Sequence, residues 1–380
     1  MKKTVKLGTM GDIFIGLTYH PDDVSSEGTI VLRSSNIQDG RLDFSDVVRV
    51  KCSIRDNLFV KQNDILMCSR NGSAKLVGKC ALLPRSDEKM TFGAFMTIIR
   101  TEHNEYLLHF FNSNAFRNQL GSAATTTINQ ITRKMLDDIC VPVYDNEKEH
   151  HITSKFNKID DLIYKKQQQL SELDELVKSR FIELFGATST ENCTKQIKDY
   201  AEVLGGYAFK SDLFCADAIP VIRISNINNG CVELDYNICF DELFWERNKR
   251  FRVEQNDVLM AMSGATTGKA GIYRENMPAL INQRVACIRA KDGVACPTFL
   301  FVATQLEWMY DLIQETSAGC AQPNISGKQI ENMPVPDASY EKQQQFACFV
   351  EQTDKSKFEI QKSLEKLETL KKALMQKYFG

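Results

Sequence analysis

The sequence predicts an α+β protein: two tandem mixed α/β domains, mainly β, separated by two long α-helices that pair as an antiparallel coiled coil with pseudo-two-fold symmetry. Three observations predict it. Short motifs recur in the same order at a nearly constant spacing. Apolar runs of three or four residues, bounded by Gly, Asn and Asp, fill residues 1–146 and 187–340. Residues 147–186 and 341–380 instead place apolar side chains at alternating steps of four and three.

The repeat can be followed position by position. Arg33-Ser34-Ser35-Asn36-Ile37 recurs 190 residues on as Arg223-Ile224-Ser225-Asn226-Ile227, and the same step carries Gly16 to Gly206 and Gly40 to Gly230. Gln62-Asn63-Asp64-Ile65-Leu66-Met67 recurs 193 residues on as Gln255-Asn256-Asp257-Val258-Leu259-Met260. Glu147-Lys148 and Phe185-Gly186 reappear 194 residues on, as Glu341-Lys342 and Phe379-Gly380. The small drifts place insertions in loops, while the constant step through the helical segment fixes its length in both copies.

Within each domain, Val31-Leu32-Arg33 and Val221-Ile222-Arg223-Ile224 read as strands followed by turns that end at Gly40 and Gly230. Asn63-Asp64 and Asn256-Asp257 read as turns entering Ile65-Leu66-Met67 and Val258-Leu259-Met260. Ile98-Ile99-Arg100 and Ala286-Cys287-Ile288-Arg289 form another matched strand pair. Tyr106 to Leu120 and Thr298 to Ile313 carry helical spacing with one apolar face.

The long helices are the clearest elements. Ile152, Phe156, Ile159, Ile163, Lys166, Leu170, Leu173, Val177, Arg180 and Leu184 mark one seam. The second copy gives Phe346, Val350, Thr353, Lys357, Ile360, Leu364, Leu367, Lys371, Leu374 and Tyr378. This is an a/d stripe, uninterrupted by Pro or Gly. A lone helix of this length, roughly 55–60 Å at about 1.5 Å per residue, would leave its stripe in water. The other copy is the expected partner, with separate packing of each helix on its own domain as the alternative. Ile152, Phe156, Ile159, Ile163, Leu170 and Leu173, with Phe346, Val350, Ile360, Leu364, Leu367 and Leu374, are the candidates for helix pairing and partner binding.

Hydrophobic residues at 43% and charged residues at 25% describe a globular chain. No stretch is long and apolar enough to span a bilayer, and Met1-Lys2-Lys3 is followed by no uninterrupted apolar core, so a cytoplasmic location is expected. The twelve cysteines never fall two to four residues apart, so mostly buried thiols are expected rather than zinc. Net charge is −2, which gives no chain-wide basic surface for nucleic acid; any phosphate contact must be local or shared with a partner.

Catalytic signatures are missing. Ser263-Gly264-Ala265-Thr266-Thr267-Gly268-Lys269 has three residues between its glycines and Ala270 after the Lys, where a phosphate-binding loop needs four and a Ser or Thr. Gly72 and Gly78-Lys79 are separated by five residues in the first copy, so a flexible glycine-rich loop is the better reading. No glycine-rich cofactor fingerprint, no Asn-Pro-Pro or Asp-Pro-Pro methyltransferase motif and no nuclease-type acidic pair with Lys occurs. No catalytic or metal-binding residue is assigned.

The order domain, helix, domain, helix resembles the specificity subunit of type I restriction–modification systems over essentially the whole chain. The resemblance is carried by Arg223-Ile224-Ser225-Asn226-Ile227, by Asn256-Asp257-Val258-Leu259 and by Ile281-Asn282-Gln283-Arg284. Gln322-Pro323-Asn324-Ile325-Ser326, followed by Met333-Pro334-Val335-Pro336, adds to it. The first copy departs, with Phe92-Gly93-Ala94-Phe95 in place of residues 281–284 and Thr127-Ile128-Asn129 in place of residues 322–324. The resemblance implies two target-recognition domains, residues 1–146 and 187–340, with conserved helices at 147–186 and 341–380. It implies reading of an asymmetric bipartite site in double-stranded DNA, with the helices as a rigid spacer. It also implies docking of two methyltransferase subunits, which would bind S-adenosylmethionine, and of restriction and translocation subunits in a larger complex. The chain itself would hold no cofactor and catalyse nothing. A coiled-coil scaffold that reads no DNA is the alternative.

Donor and acceptor side chains in loops are the candidates for DNA contact, since Arg suits guanine and Asn or Gln suits adenine. In the first domain they are Arg33, Ser34, Asn36, Ser69, Arg70, Asn71, Lys75, Lys79, Thr126 and Asn129. In the second they are Arg223, Ser225, Asn226, Ser263, Thr266, Thr267, Lys269, Arg284 and Asn324. Arg33/Arg223 and Asn36/Asn226 recur in both copies, so a structural role is as plausible for them as base reading. The unmatched stretches, 70–79 and 261–269, are better placed to carry specificity.

Overall fold

The computed structural model describes residues 3–121, 130–317 and 323–380. The chain divides into two compact units: residues 1–167 with 362–380, and residues 168–361. Each unit therefore combines one domain with part of both long helices, which run Asn146–Phe185 and Tyr340–Tyr378.

In the first unit a four-stranded antiparallel sheet has the order Asp12–Ile15, Met96–Arg100, Ile65–Cys68, Cys80–Leu82. A second sheet pairs Met90–Phe92 in parallel with Thr29–Leu32, which continues to Val48–Val50 and Val24–Ser25. The second unit repeats the plan. Ala201–Gly205, Val285–Ala290, Val258–Ala261 and Ala270–Ile272 stand in the same order, extended by Cys231–Val232 and Ile227–Asn228. Leu280–Ile281 pairs in parallel with Ile219–Ile222. Even the register is kept: Ile98 faces Leu66 in one unit and Cys287 faces Leu259 in the other.

The short apolar runs are explained by burial on both faces of the sheet. Ile65 and Met67 point into a cluster with Phe110, Phe111 and Phe116, whereas Leu66 and Cys68 join Phe92 and Ile98 on the opposite side. Val258 and Met260, against Leu259 and Ala261, divide in the same way. A strand wanted by two cores reads as a continuous apolar run rather than an alternating one.

Three local expectations change. The strands end at Leu32 and Ile222, and residues 34–36 and 224–226 form 3-10 turns, so Arg33, Arg223 and Ile224 are not strand residues. The long amphipathic helices expected at 106–120 and 298–313 are each two helices: Asn104–Phe111 with Asn114–Gly121, and Pro297–Thr304 with Glu307–Ser317. In the first, Ser113 Oγ donates to Phe110 O and accepts from Phe116 N–H, which replaces helical bonding at the break. The cysteines are also less uniformly buried than expected: among the described residues five are buried and Cys140, Cys215, Cys231 and Cys348 are exposed. Burial pushes the Cys80 thiol up to about 12. The turns at Gly40 and Gly230 appear as expected, with Asp39 and Asn229 also at positive φ, the geometry a two-residue hairpin demands.

The helices run antiparallel within each unit. In the first, Phe156 stacks on Phe379 at 5.6 Å and Asp160 pairs with Lys371 at 2.5 Å, so an advance on one helix is a retreat on the other. In the second, Phe181 lies 5.3 Å from Phe346 and Asp174 pairs with Lys357 at 2.5 Å. Every residue of the two predicted stripes is buried or half-buried. Ile152 and Phe156 complete the first domain's core, and Val177, Phe181, Phe346 and Val350 complete the second's. Ile163, Leu170, Leu173, Ile360, Leu367 and Leu374 are only half-buried, whereas Ile159 and Leu364 are buried. Pairing and packing on the domains thus coexist along one stripe. Among the described residues no helix is long and apolar enough to cross a membrane.

Candidate functional site

In each domain, matched chain segments meet at one end of the sheets, and the same hydrogen bonds hold them. Leu17 N–H donates to Phe92 O, and Tyr207 N–H to Ile281 O. Gly93 N–H donates to Leu32 O, and Asn282 N–H to Ile222 O. Ser69 N–H donates to Phe95 O, and Met262 N–H to Arg284 O. Ile131 N–H donates to Ser69 O, and Ile325 N–H to Met262 O. Gly16 and Gly206 are required by this convergence, because a Cβ there would lie 2.1 Å from Gly93 O or 2.2 Å from Asn282 O.

In the first domain the segments enclose an open cleft of roughly 1000 Å³, lined among others by Tyr19, Arg33, Ser34, Arg70, Phe95 and Arg133. This brings Arg33, Ser34, Ser69 and Arg70 together, as expected of a shared site. Lys75 lies on the exposed 3-10 turn Ala74–Leu76. Thr126 and Asn129 lie outside the described residues. Phe95, exposed in the turn before Met96–Arg100, and Gln130, bridged to Arg70, were not singled out from the sequence. The signal for Phe95 was present, because it stands where Arg284 stands in the second copy.

Several candidates are committed to the frame. Asn36 is buried: its Oδ1 accepts from Arg33 N–H, and its Nδ2 donates to Asp43 O and Asp46 O. Asn226 likewise accepts from Arg223 N–H and donates to Glu233 O. These amides brace the 3-10 turns and have no free edge for a base. Ser69 Oγ donates to Phe95 O, and buried Thr267 Oγ1 donates to Gly264 O. Asn71 Nδ2 donates to Ser34 Oγ while its Oδ1 accepts from Ser73 N–H. Ser225 O accepts from Asn228 Nδ2. Arg33 pairs with Asp46 at 2.7 Å, and Arg223 with Asp235 at 3.5 Å, yet the Nε of both is buried without a partner.

The glycine-rich loops are tied back to the strands they leave by backbone hydrogen bonds. Gly78 and Gly268 adopt φ of +86° and +87°, and their N–H groups donate to Cys68 O and Ala261 O. Lys79 Nζ is spent on Ile37 O at 2.8 Å, and Lys269 lines a separate recess with Glu175, Lys178 and Asp311. In the second domain Ser263 bridges Asn324, and Ser263 Oγ and Thr266 Oγ1 are buried without partners. Arg284 is fully available at the surface.

At the other end of the same strands each domain carries a matched ion pair. Arg100 donates from Nε and its terminal nitrogen to both oxygens of Asp64, at 2.8 and 2.6 Å, and Arg289 does the same to Asp257 at 3.0 and 2.7 Å. Those bonds push both guanidinium pKa values up. Asn63 and Asn256, at positive φ, make the turns that bring each Asp into place. Among the described residues no cluster of His, Cys, Asp and Glu could hold a metal ion.

The fold and its matched ends define a class: a duplicated protein that presents two copies of one recognition frame on domains sharing two antiparallel helices. Comparison with known proteins gives the family this chain resembles. Residues 190–372 match the family described as Type I restriction modification DNA specificity domain. The chain is 20% identical to the Type I restriction enzyme StySPI specificity subunit of Salmonella potsdam, over 99% of this chain and 88% of that protein. It is similar in fold to the S subunit of a type I restriction–modification system from M. genitalium, with a TM-score of 0.56 and 13% identity, covering 100% of this chain and 96% of that one. A chain from a study of complex assembly and conformational transition of the type I R-M system gives a TM-score of 0.54 at 15% identity, covering 99% and 97%. Over nearly its whole length the chain is similar to type I restriction enzyme specificity subunits, and its second half matches their family model.

Proposed function

We propose that this chain reads an asymmetric, bipartite sequence in double-stranded DNA, one half-site per domain. One observation carries the reading: the same hydrogen-bonded frame is built twice, while the exposed side chains on it differ. A frame kept with its surface varied is what two different half-sites require, and similarity to type I specificity subunits favours it over a scaffold that reads no DNA.

The chain supplies recognition and no catalysis. Chemistry belongs to methyltransferase subunits that bind S-adenosylmethionine, joined in a larger complex by restriction and translocation subunits, all in the cytoplasm. Two equivalent docking surfaces support two methyltransferase copies. In the first unit Tyr164 and Leu370 are exposed on the helices, and in the second Leu176 and Phe358 are. Tyr164 and Phe358 are repeat equivalents, as are Leu176 and Leu370, so each unit places an aromatic and a leucine side chain outside the seam, with Arg41 stacked on Tyr164 in the first. A net charge of −2 fits a reader whose partners close the rest of the basic channel.

The test is a domain exchange. Replacing residues 1–146 with the first domain of another specificity subunit, and sequencing methylated adenines, should change one half-site and leave the other. A change in both halves, or in neither, would sink the reading, as would the absence of salt-sensitive, sequence-dependent binding by the assembled complex.

A further inference from the structure

The two frames match in their hydrogen bonding yet carry their unpaired guanidinium groups on different segments. In the first domain the strand end carries Arg70 and the facing turn carries Phe95; Arg70 N–H donates to Phe95 O at 3.1 Å, and its guanidinium lies 5.3 Å from the centre of the Phe95 ring. In the second domain the strand end carries Ser263, and Arg284 occupies the turn. The equivalence is structural. Met96 N–H closes the first turn on Gly93 O, and Val285 N–H closes the second on Asn282 O. Arg70 bridges Gln130 just as Ser263 bridges Asn324.

These two arginines differ from the others around the frames. Arg33 and Arg223 are held by Asp46 and Asp235, and Arg100 and Arg289 by Asp64 and Asp257. Arg70 and Arg284 are exposed, and among the described residues neither guanidinium has a hydrogen bond or an ion pair. The ring of Phe95 restrains Arg70 without using its donors, while Arg284 N–H donates to Asn282 Oδ1 at 3.2 Å, which fixes its backbone.

On the reading that each domain takes one half-site, we infer that Arg70 and Arg284 are the specificity-determining donors, each reading one guanine, and that their placement on different segments of the frame makes the half-sites unequal. A planar fork with free donors suits the adjacent O6 and N7 acceptors of guanine. Moving it from the strand end to the turn moves the reading position within the half-site.

The experiment uses the full chain assembled with methyltransferase subunits and a random-sequence duplex library, with bound DNA sequenced. R70A should relax one guanine position in one half-site, with a loss of discrimination of roughly tenfold to a hundredfold, and R284A should do so in the other half. R70S/F95R, which rebuilds the second domain's arrangement on the first frame, should restore a guanine preference at a shifted position. R70K and R284K keep the charge without the fork, so they should retain binding while losing discrimination; they also serve if an alanine variant fails to fold. Uniform weakening with both half-sites intact would overturn the proposal in favour of phosphate contact. A wild-type complex that selects no bipartite sequence would overturn the DNA-reading function itself, an outcome distinct from failure of the two arginines.

Discussion

The first and second units share strand order, register and the convergence of segments at one end, but they differ in what fills that frame. The first has a longer connection between Ile65–Cys68 and Cys80–Leu82, residues 69–79, than the second has at residues 262–269, and a histidine in its core. The second adds the helix Glu242–Arg247 and an aromatic group around Phe209, Phe240, Phe244 and Phe251. What the two keep in common marks what the fold requires, and what they do not marks what is free to specialise. That contrast can be broken at several depths.

The largest effect is expected at the shared ion pair. Asp64 and Asp257 are almost wholly buried, and each neutralises a guanidinium that also holds backbone carbonyls, Phe59 O for Arg100 and Arg252 O for Arg289. Removing Asp64 leaves the largely buried Arg100 guanidinium without a carboxylate, so D64A should cost about 3–5 kcal/mol. Arg289 keeps Glu254 at 2.8 Å, so D257A should cost less. Calorimetry of the two variants checks the order, and a D257A loss equal to or larger than that of D64A would show that Glu254 contributes nothing.

Next comes the close approach at Gly16 and Gly206. G16A and G206A would drive a methyl into a carbonyl, and each should destabilise by about 1–3 kcal/mol while opening the cleft nearby. Urea unfolding measures the loss. An alanine accepted without cost at either position would show that the segments can part there.

The repeat, the long helices and their stripe were legible because they rest on local periodicity. Phe156 and Phe346, read as seam residues, are fully buried. The division of that stripe between the helix partner and the domain cores was not legible, since Phe156 and Ile163 look alike in sequence and differ only in what covers them. The breaks at Ser113 and Leu306 escaped because apolar spacing continues across them; in the first, only a side-chain bond to the backbone reveals the interruption. At the candidate site the sequence named the right segments but could not separate Asn36, spent on backbone groups, from Arg70, whose donors are free. Both are polar loop residues, and burial alone distinguishes them.

His109 should make the first unit the more acid-sensitive. It is buried, its ring 5.0 Å from Phe156, with Nε2 2.8 Å from Asn157 Oδ1 and Asp160 3.6 Å from Nδ1. Burial lowers its pKa, against the opposing pull of Asn157 and Asp160. Above the unfolded value of about 6.5 both states are neutral and nothing is lost. Below it the unfolded chain takes up a proton that the native state resists, so stability falls with pH. The matching position in the second unit is Val302, which cannot titrate. Thermal unfolding at pH 7.5 and 5.5 should show H109V less acid-sensitive than the native chain, and an unchanged difference would remove His109 from the account.

The smallest expected effect lies in the helix pair, where both units break the apolar stripe in the same manner. Lys371 meets Asp160 in the first, and Lys357 meets Asp174 in the second, each at 2.5 Å. The lysines are about one-quarter exposed, while Asp160 is one-third exposed and Asp174 nearly two-thirds, so solvent screens the second pair more. A double-mutant cycle on either pair should give about 0.2–1 kcal/mol, with Asp174–Lys357 at the lower end. The value of such pairs is in alignment: a half-buried lysine is satisfied in one register, and a shift by one turn would strand it against apolar neighbours. K357L should therefore leave stability within that small range while loosening the preference for one register, read as disulfide formation between cysteines placed one turn out of alignment. If the leucine variant held its register as tightly as the native helices, alignment would rest on the flanking aromatic contacts alone.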